Sequence, residues 1–231
     1  MNKLYWRWVL LISVQSVCTL FTECEESFMR LGIFGGSFDP VHYGHLLLAE
    51  HCREQCRLDA VWFVPAAVPP HKQERTLSSP ADRLEMLKLA IGGYEPFTVC
   101  SMELDRGAIS YTVDTLQQLH DELSDAELFF LMGADSLAEL PTWREPDRIC
   151  ELAIPLIVRR AGSPEPNISV LEKLMSSERI DAARQNQVEM PIIELSATDL
   201  RRRVAAGQSI RFRTPRAVEK YIESHRLYKT S

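Results

Sequence analysis

An α/β fold with a doubly wound, mostly parallel sheet and helices on both faces is what the sequence predicts from Met29 onward. Three observations predict it. Short apolar runs alternate with longer helical segments along the chain. The first run ends in Gly35-Gly36 and is succeeded almost at once by a helix start. No repeat, low-complexity tract or linker divides the chain beyond Met29, so a single domain is expected over 29–231. A chain of 231 residues, 45% hydrophobic and 25% charged, is long enough to bury a sizeable core.

Strand-like runs lie near Arg30–Phe34, Ala60–Val64, Phe97–Cys100, Leu128–Met132, Ile154–Val158 and Pro191–Glu194. Helices are expected near His45–Gln55, where Leu46, Leu47, Leu48 and Ala49 continue the apolar pattern, and near Pro80–Ile91, Thr112–Leu123, Asp199–Ala205 and Pro215–His225. Ser79-Pro80-Ala81-Asp82 supplies a cap, a proline at the first helical position and an acid at the third. Ala161-Gly162-Ser163-Pro164-Glu165-Pro166 reads as a loop within the domain, because the elements after it are needed to complete the sheet.

Residues 1–28 differ from the rest. Lys3 and Arg7 precede an apolar run from Trp8 to Phe21, a profile like that of a signal peptide or a short anchor. A core beginning at Met29 needs nothing upstream, so this segment is expected to be an N-terminal extension outside the fold. The net charge of −6 argues against broad nucleic-acid or membrane binding. Six cysteines without C-x-x-C spacing fit reduced thiols in a cytoplasmic enzyme. His42, His45, Cys52 and Cys56 share one helical stretch and surround a metal poorly, so no protein-held metal is expected.

The chemistry concentrates in Gly35-Gly36-Ser37-Phe38-Asp39-Pro40-Val41-His42-Tyr43-Gly44-His45. Glycines let the main chain approach a ligand, and a helix opening at two imidazoles offers N–H groups and a positive dipole end to an anion. The anion is most simply a polyphosphate. In such sheets the ligand lies beyond the carboxyl ends of the strands, where the strand order reverses.

This string resembles the signature of the nucleotidyltransferase superfamily with the H-x-G-H motif, and implies its Rossmann-like fold. Later segments narrow the resemblance to the bacterial nicotinate-nucleotide adenylyltransferases. They are Val64-Pro65-Ala66 through Pro69-Pro70-His71-Lys72, Ser110-Tyr111-Thr112-Val113-Asp114-Thr115-Leu116, Gly133-Ala134-Asp135-Ser136-Leu137, Leu140-Pro141-Thr142-Trp143 and Leu195-Ser196-Ala197-Thr198-Asp199-Leu200-Arg201. The last is similar to the family's I-S-S-T-x-x-R motif, with Leu for Ile and Ala for the second Ser. Its Ser196-x-x-Asp199 also satisfies a capping box, a structural role compatible with phosphate binding.

The resemblance implies transfer of the adenylyl group of ATP to nicotinate mononucleotide, giving nicotinate adenine dinucleotide and pyrophosphate. It implies catalytic roles for His42, His45, Lys72 and Arg201. ATP would be bound by Gly35, Gly36, Ser37, Phe38, His42, His45, Ser196, Thr198 and Arg201. The nicotinate nucleotide would be bound by Lys72, Tyr111, Thr112, Gly133, Asp135 and Trp143, with the Trp143 ring stacking on the pyridine and the helix start at Thr112 facing its carboxylate. Mg²⁺ is expected as a bridge between phosphates, carried by the substrate. Arg202 and Arg203 read as surface charges, and Asp39 as a residue that shapes the loop. Lys173-Leu174-Met175-Ser176-Ser177 looks like part of a synthetase loop but lacks its second lysine. Nicotinamide mononucleotide or phosphopantetheine as acceptor, or a non-catalytic nucleotide sensor, are the rival readings, and a homo-oligomer stays open.

Overall fold

A computed structural model describes residues 28–69, 77–162 and 164–229. Its centre is a sheet of six parallel strands in the order β3-β2-β1-β4-β5-β6. These are β1 (Met29–Gly36), β2 (Ala60–Pro65), β3 (Phe97–Val99), β4 (Ala126–Gly133), β5 (Ile154–Arg160) and β6 (Gln187–Met190). The helices are α1 (Tyr43–Gln55), α2 (Pro80–Ile91), α3 (Met102–Arg106), α4 (Thr112–Glu122), α5 (Ala134–Glu139), α6 (Pro146–Leu152), α7 (Ser177–Gln185), α8 (Ala197–Ala205) and α9 (Arg216–Ser224). Short 3-10 turns occupy Leu140–Thr142 and Ile168–Lys173.

The chain steps outward from β1 to β3, then returns to build β4, β5 and β6 on the other side of β1. Right-handed crossovers in opposite directions put helices on both faces. The crevice where the order reverses opens at the carboxyl ends of β1 and β4. Strands covered on both faces read as continuous apolar runs, and Leu128–Met132 and Ile154–Val158 are buried throughout. Leu31, Phe63, Met86, Leu116, Phe129 and Leu156 meet in that core, each contributing about 2 kcal/mol of transfer free energy when fully buried. Among the described residues, no helix is long and apolar enough to cross a membrane.

The last strand departs from expectation. It runs over Gln187–Met190 and pairs with Ile157–Arg160, whereas Pro191–Glu194 lies outside the sheet. Pro191 has no N–H to give a ladder, and Ile192, whose apolar side chain suggested a strand, is 63% exposed. On the open edge of β6 the Gln55 amide donates to Glu189 O (3.0 Å) and accepts from its N–H (3.3 Å), closing part of an edge that would otherwise pair with another chain. The α2 start matches its sequence signal, since Ser79 Oγ accepts the Asp82 N–H at 3.1 Å. The expectation for 1–28 lies, up to residue 27, outside the described residues.

Candidate active site

β1 continues in extended form through Gly36, so the turn is made after the glycines. The left-handed residue is Phe38, at φ 47°. Gly36 serves close approach instead: a Cβ there would stand 3.0 Å from the Phe38 ring. That ring is 1% exposed and packs against Phe34, Phe63 and His45, the last edge-on at 5.1 Å. The Phe38 side chain is therefore a support beneath the turn, which leaves only the main chain of that residue to face a ligand.

Asp39 comes next, fully buried. Its carboxylate accepts the Ser78 N–H (3.2 Å) and the Tyr228 hydroxyl (2.6 Å), which makes it the loop-shaping residue expected from the sequence. Burial, with Asp39 alongside, pushes the Tyr228 phenol well above its ordinary value. Arg83, 1% exposed on α2, donates to Ser37 O (3.1 Å), Ala66 O (2.6 Å) and Ser78 O (3.2 Å). It thereby fixes the turn after β1 against the end of β2.

His42 caps α1 and His45 stands one turn on. Their rings stack at 3.7 Å, and His45 Nδ1 accepts the His42 N–H at 3.2 Å. The His45 proton accordingly sits on Nε2, as a donor to whatever lies in front of it. Gly44 explains the spacing of the motif, because a Cβ there would come within 3.0 Å of His42 Nδ1. Burial lowers the His42 pKa to about 4. Burial, and then the neighbouring His42, hold His45 well below the usual imidazole value. Both rings are neutral at pH 7.

These depressed values tie stability to pH. The unfolded histidines take up protons below about pH 6.5, whereas folded His42 resists until about 4 and folded His45 stays well below its ordinary value, so the unfolded state binds more protons in that window. The stabilisation is complete above pH 6.5 and declines as the pH falls toward 4. Urea midpoints are expected to drop between pH 7.5 and 5, and His42→Gln should flatten the decline. An unchanged slope in that variant would count against His42 as its source.

The C-terminal part closes on this turn. Arg201 donates to Asp39 O and, at 2.9 Å, to Thr198 Oγ1. Ser196 caps α8 by accepting the Asp199 N–H at 3.1 Å, and a Cβ placed at Gly44 would stand 3.6 Å from Leu195. His45, Ser196, Thr198 and Arg201 are thus brought to one place from opposite ends of the chain. The first amides of α1 are less free than the sequence suggested: Tyr43 N–H donates to Arg213 O (3.1 Å), and the His42 N–H is taken by His45. Arg202 is exposed, as expected, and pairs with Asp199.

On the other flank of the turn, Gly35, Gly36, Ser37, Ser110, Thr112, Phe130 and Trp143 line one cavity. Tyr111 caps α4 beside it, and Trp143 stands edge-on to Phe130 at 6.0 Å. Gly133 and Asp135 are not in this group. They line a separate cavity with Leu48, Val158 and Arg159, because Gly133 ends β4 opposite Val158 of β5 and Asp135 follows it in the first turn of α5. Lys72 lies outside the described residues.

Arg83 and the Asp39–Tyr228 pair were not picked out from the sequence as site residues. Arg83 did leave a signal, since it falls on the stripe with Met86 and Leu87, three and four positions on, a spacing that puts all three on the buried face.

The chain is similar to known proteins over most of its length. The family model described as Cytidylyltransferase-like matches residues 33–203. A protein of Thermomicrobium roseum named "Probable nicotinate-nucleotide adenylyltransferase" is 48% identical over 204 residues, 87% of this chain and 92% of its own. One of Exiguobacterium sibiricum with the same name is 43% identical over 202 residues, 87% of this chain and 100% of its own. The chain belongs to the nicotinate-nucleotide adenylyltransferase family. The solved structure of Plasmodium falciparum nicotinic acid mononucleotide adenylyltransferase complexed with NaAD superposes on the enzyme with a TM-score of 0.66, covering 86% of this chain and 97% of that one. At 17% identity it shows the shared fold of this nucleotidyltransferase.

Proposed function

We propose that the enzyme transfers the adenylyl group of ATP to nicotinate mononucleotide, as a cytoplasmic step of NAD biosynthesis. One observation carries the reading: the segment Gly35-Gly36-Ser37 at the end of β1 borders the Trp143 cavity on one flank and leads into His45 and Arg201 on the other. A nucleotide seated in the first would present its phosphate to a triphosphate held at the second.

The acceptor phosphate oxygen attacks the α-phosphorus of ATP, the bond from that phosphorus to the bridging oxygen breaks, and pyrophosphate leaves with the electron pair. The attacking group is already anionic at neutral pH, so the protein aligns two anions and spreads the growing charge. His45 Nε2–H and the Arg201 guanidinium serve the triphosphate, with Ser196 and Thr198 beside them. Lys72 belongs to the same proposal as a further cation near the phosphates. Mg²⁺ bound with ATP would neutralise phosphate charge as an ion carried by the substrate, with phosphates and water as its ligands.

The test is acceptor competition. With MgATP, pyrophosphate release from nicotinate mononucleotide should exceed that from nicotinamide mononucleotide in kcat/KM by about tenfold or more, and phosphopantetheine should give none. Faster turnover of either rival would overturn the assignment, and no release with any acceptor would favour a sensor.

A further inference from the structure

Just beyond α9, Tyr228 is the point at which the end of the chain reaches the turn after β1. Its hydroxyl donates to Asp39 Oδ1 at 2.6 Å. The other carboxylate oxygen accepts the Ser78 N–H at 3.2 Å, and Arg201 donates to the main-chain oxygen of the same aspartate. Three distant stretches of chain therefore meet on one fully buried residue. The tail is bent to make its contact, with Arg226 at φ 54° and Tyr228 at φ 61°, a left-handed conformation that residues with a side chain keep only where their surroundings impose it. Leu227 N–H closes the bend on Ile222 O at 3.1 Å. A second tyrosine makes a bond of the same kind without touching the turn. Tyr221 donates to Asp82 Oδ1 at 2.9 Å, and so ties α9 to α2 alone.

We propose that Tyr228 is a positioning residue for ATP, whose hydroxyl holds the Asp39 carboxylate and, through Asp39, the main-chain oxygen on which Arg201 is seated. The inference rests on the ATP half of the reading above. Without the hydroxyl, the carboxylate keeps the Ser78 N–H as its one hydrogen bond among the described residues. The Asp39 peptide then loses its fixed place, and the guanidinium bound to its oxygen no longer meets a triphosphate in one orientation. The acceptor cavity is held by other bonds, among them Ala67 N–H to Ser110 Oγ at 2.9 Å. Loss of the hydroxyl therefore falls on ATP and spares the mononucleotide.

Steady-state kinetics of Tyr228→Phe and Tyr221→Phe, with each substrate varied at saturation of the other, test this. Tyr228→Phe should lose about tenfold in kcat/KM for MgATP, chiefly as a raised KM, with KM for nicotinate mononucleotide unchanged. Tyr221→Phe removes an equivalent bond and should leave both KM values as they are in the parent. In an Asp39→Asn background, Tyr228→Phe should add less than about twofold, because the two substitutions break one contact. A further measurement needs no variant: Mg²⁺ with α,β-methylene-ATP should slow hydrogen exchange at the Leu227 amide of the wild type, since coupling between tail and nucleotide is reciprocal. An unchanged KM for MgATP in Tyr228→Phe, an equal rise for both substrates, an equal effect of Tyr221→Phe, full additivity with Asp39→Asn, or a Leu227 amide indifferent to the nucleotide would overturn the role of Tyr228. A wild type that releases no pyrophosphate from ATP with any acceptor would instead strike the reading on which it rests.

Discussion

Replacing His45 by alanine is expected to lower kcat by a factor on the order of 10² to 10³, the scale of losing one preorganised donor to developing charge. The ring is set in place before substrate arrives. Phe34 and Phe38 meet it edge-on, His42 stacks on it, and the His42 amide fixes its tautomer. No reorganisation is needed as charge builds on the leaving pyrophosphate. His42 is 5% exposed and supports its neighbour more than it reaches outward. The measurement is single-turnover adenylyl transfer in a variant whose circular dichroism melt matches the parent; full turnover there would remove His45 from the mechanism.

The second large effect is on stability. Arg83→Met should cost about 3 kcal/mol or more, because it leaves buried acceptors without a donor and removes a buried cation beside a buried carboxylate. The carbonyls of Ser37, Ala66 and Ser78 would lose their partner, and Asp39 the positive charge nearby. Methionine fills most of the volume, so a void contributes little. Urea denaturation gives the number directly, and a loss below about 1 kcal/mol would mean that water takes over the carbonyls.

The sheet and the phosphate turn were legible in the sequence because both leave local marks. Apolar runs of strand length gave five of the six strands, and Ser79-Pro80 gave a helix start that the structure repeats. Short elements left no such mark. The five to seven residues of α3, α5 and α6 are too few for a helical period to show, and β6 alternates polar and apolar over four residues only. In the site, residues proposed to meet ligands through their chemistry, such as His45 and Arg201, could be named from motifs. Those that act by where the fold puts them could not. Nothing local in Asp39 says that both its oxygens will be taken by residues 39 and 189 positions away, and nothing in Gly133 or Asp135 says that they will line a cavity beside β5.

The partners of Asp39 also bear on how the protein is made. The loop it anchors is translated well before Arg201 and Tyr228, which lie 162 and 189 positions further on. A nascent chain therefore carries this loop without its locking partners until Arg201 and Tyr228 have been synthesised.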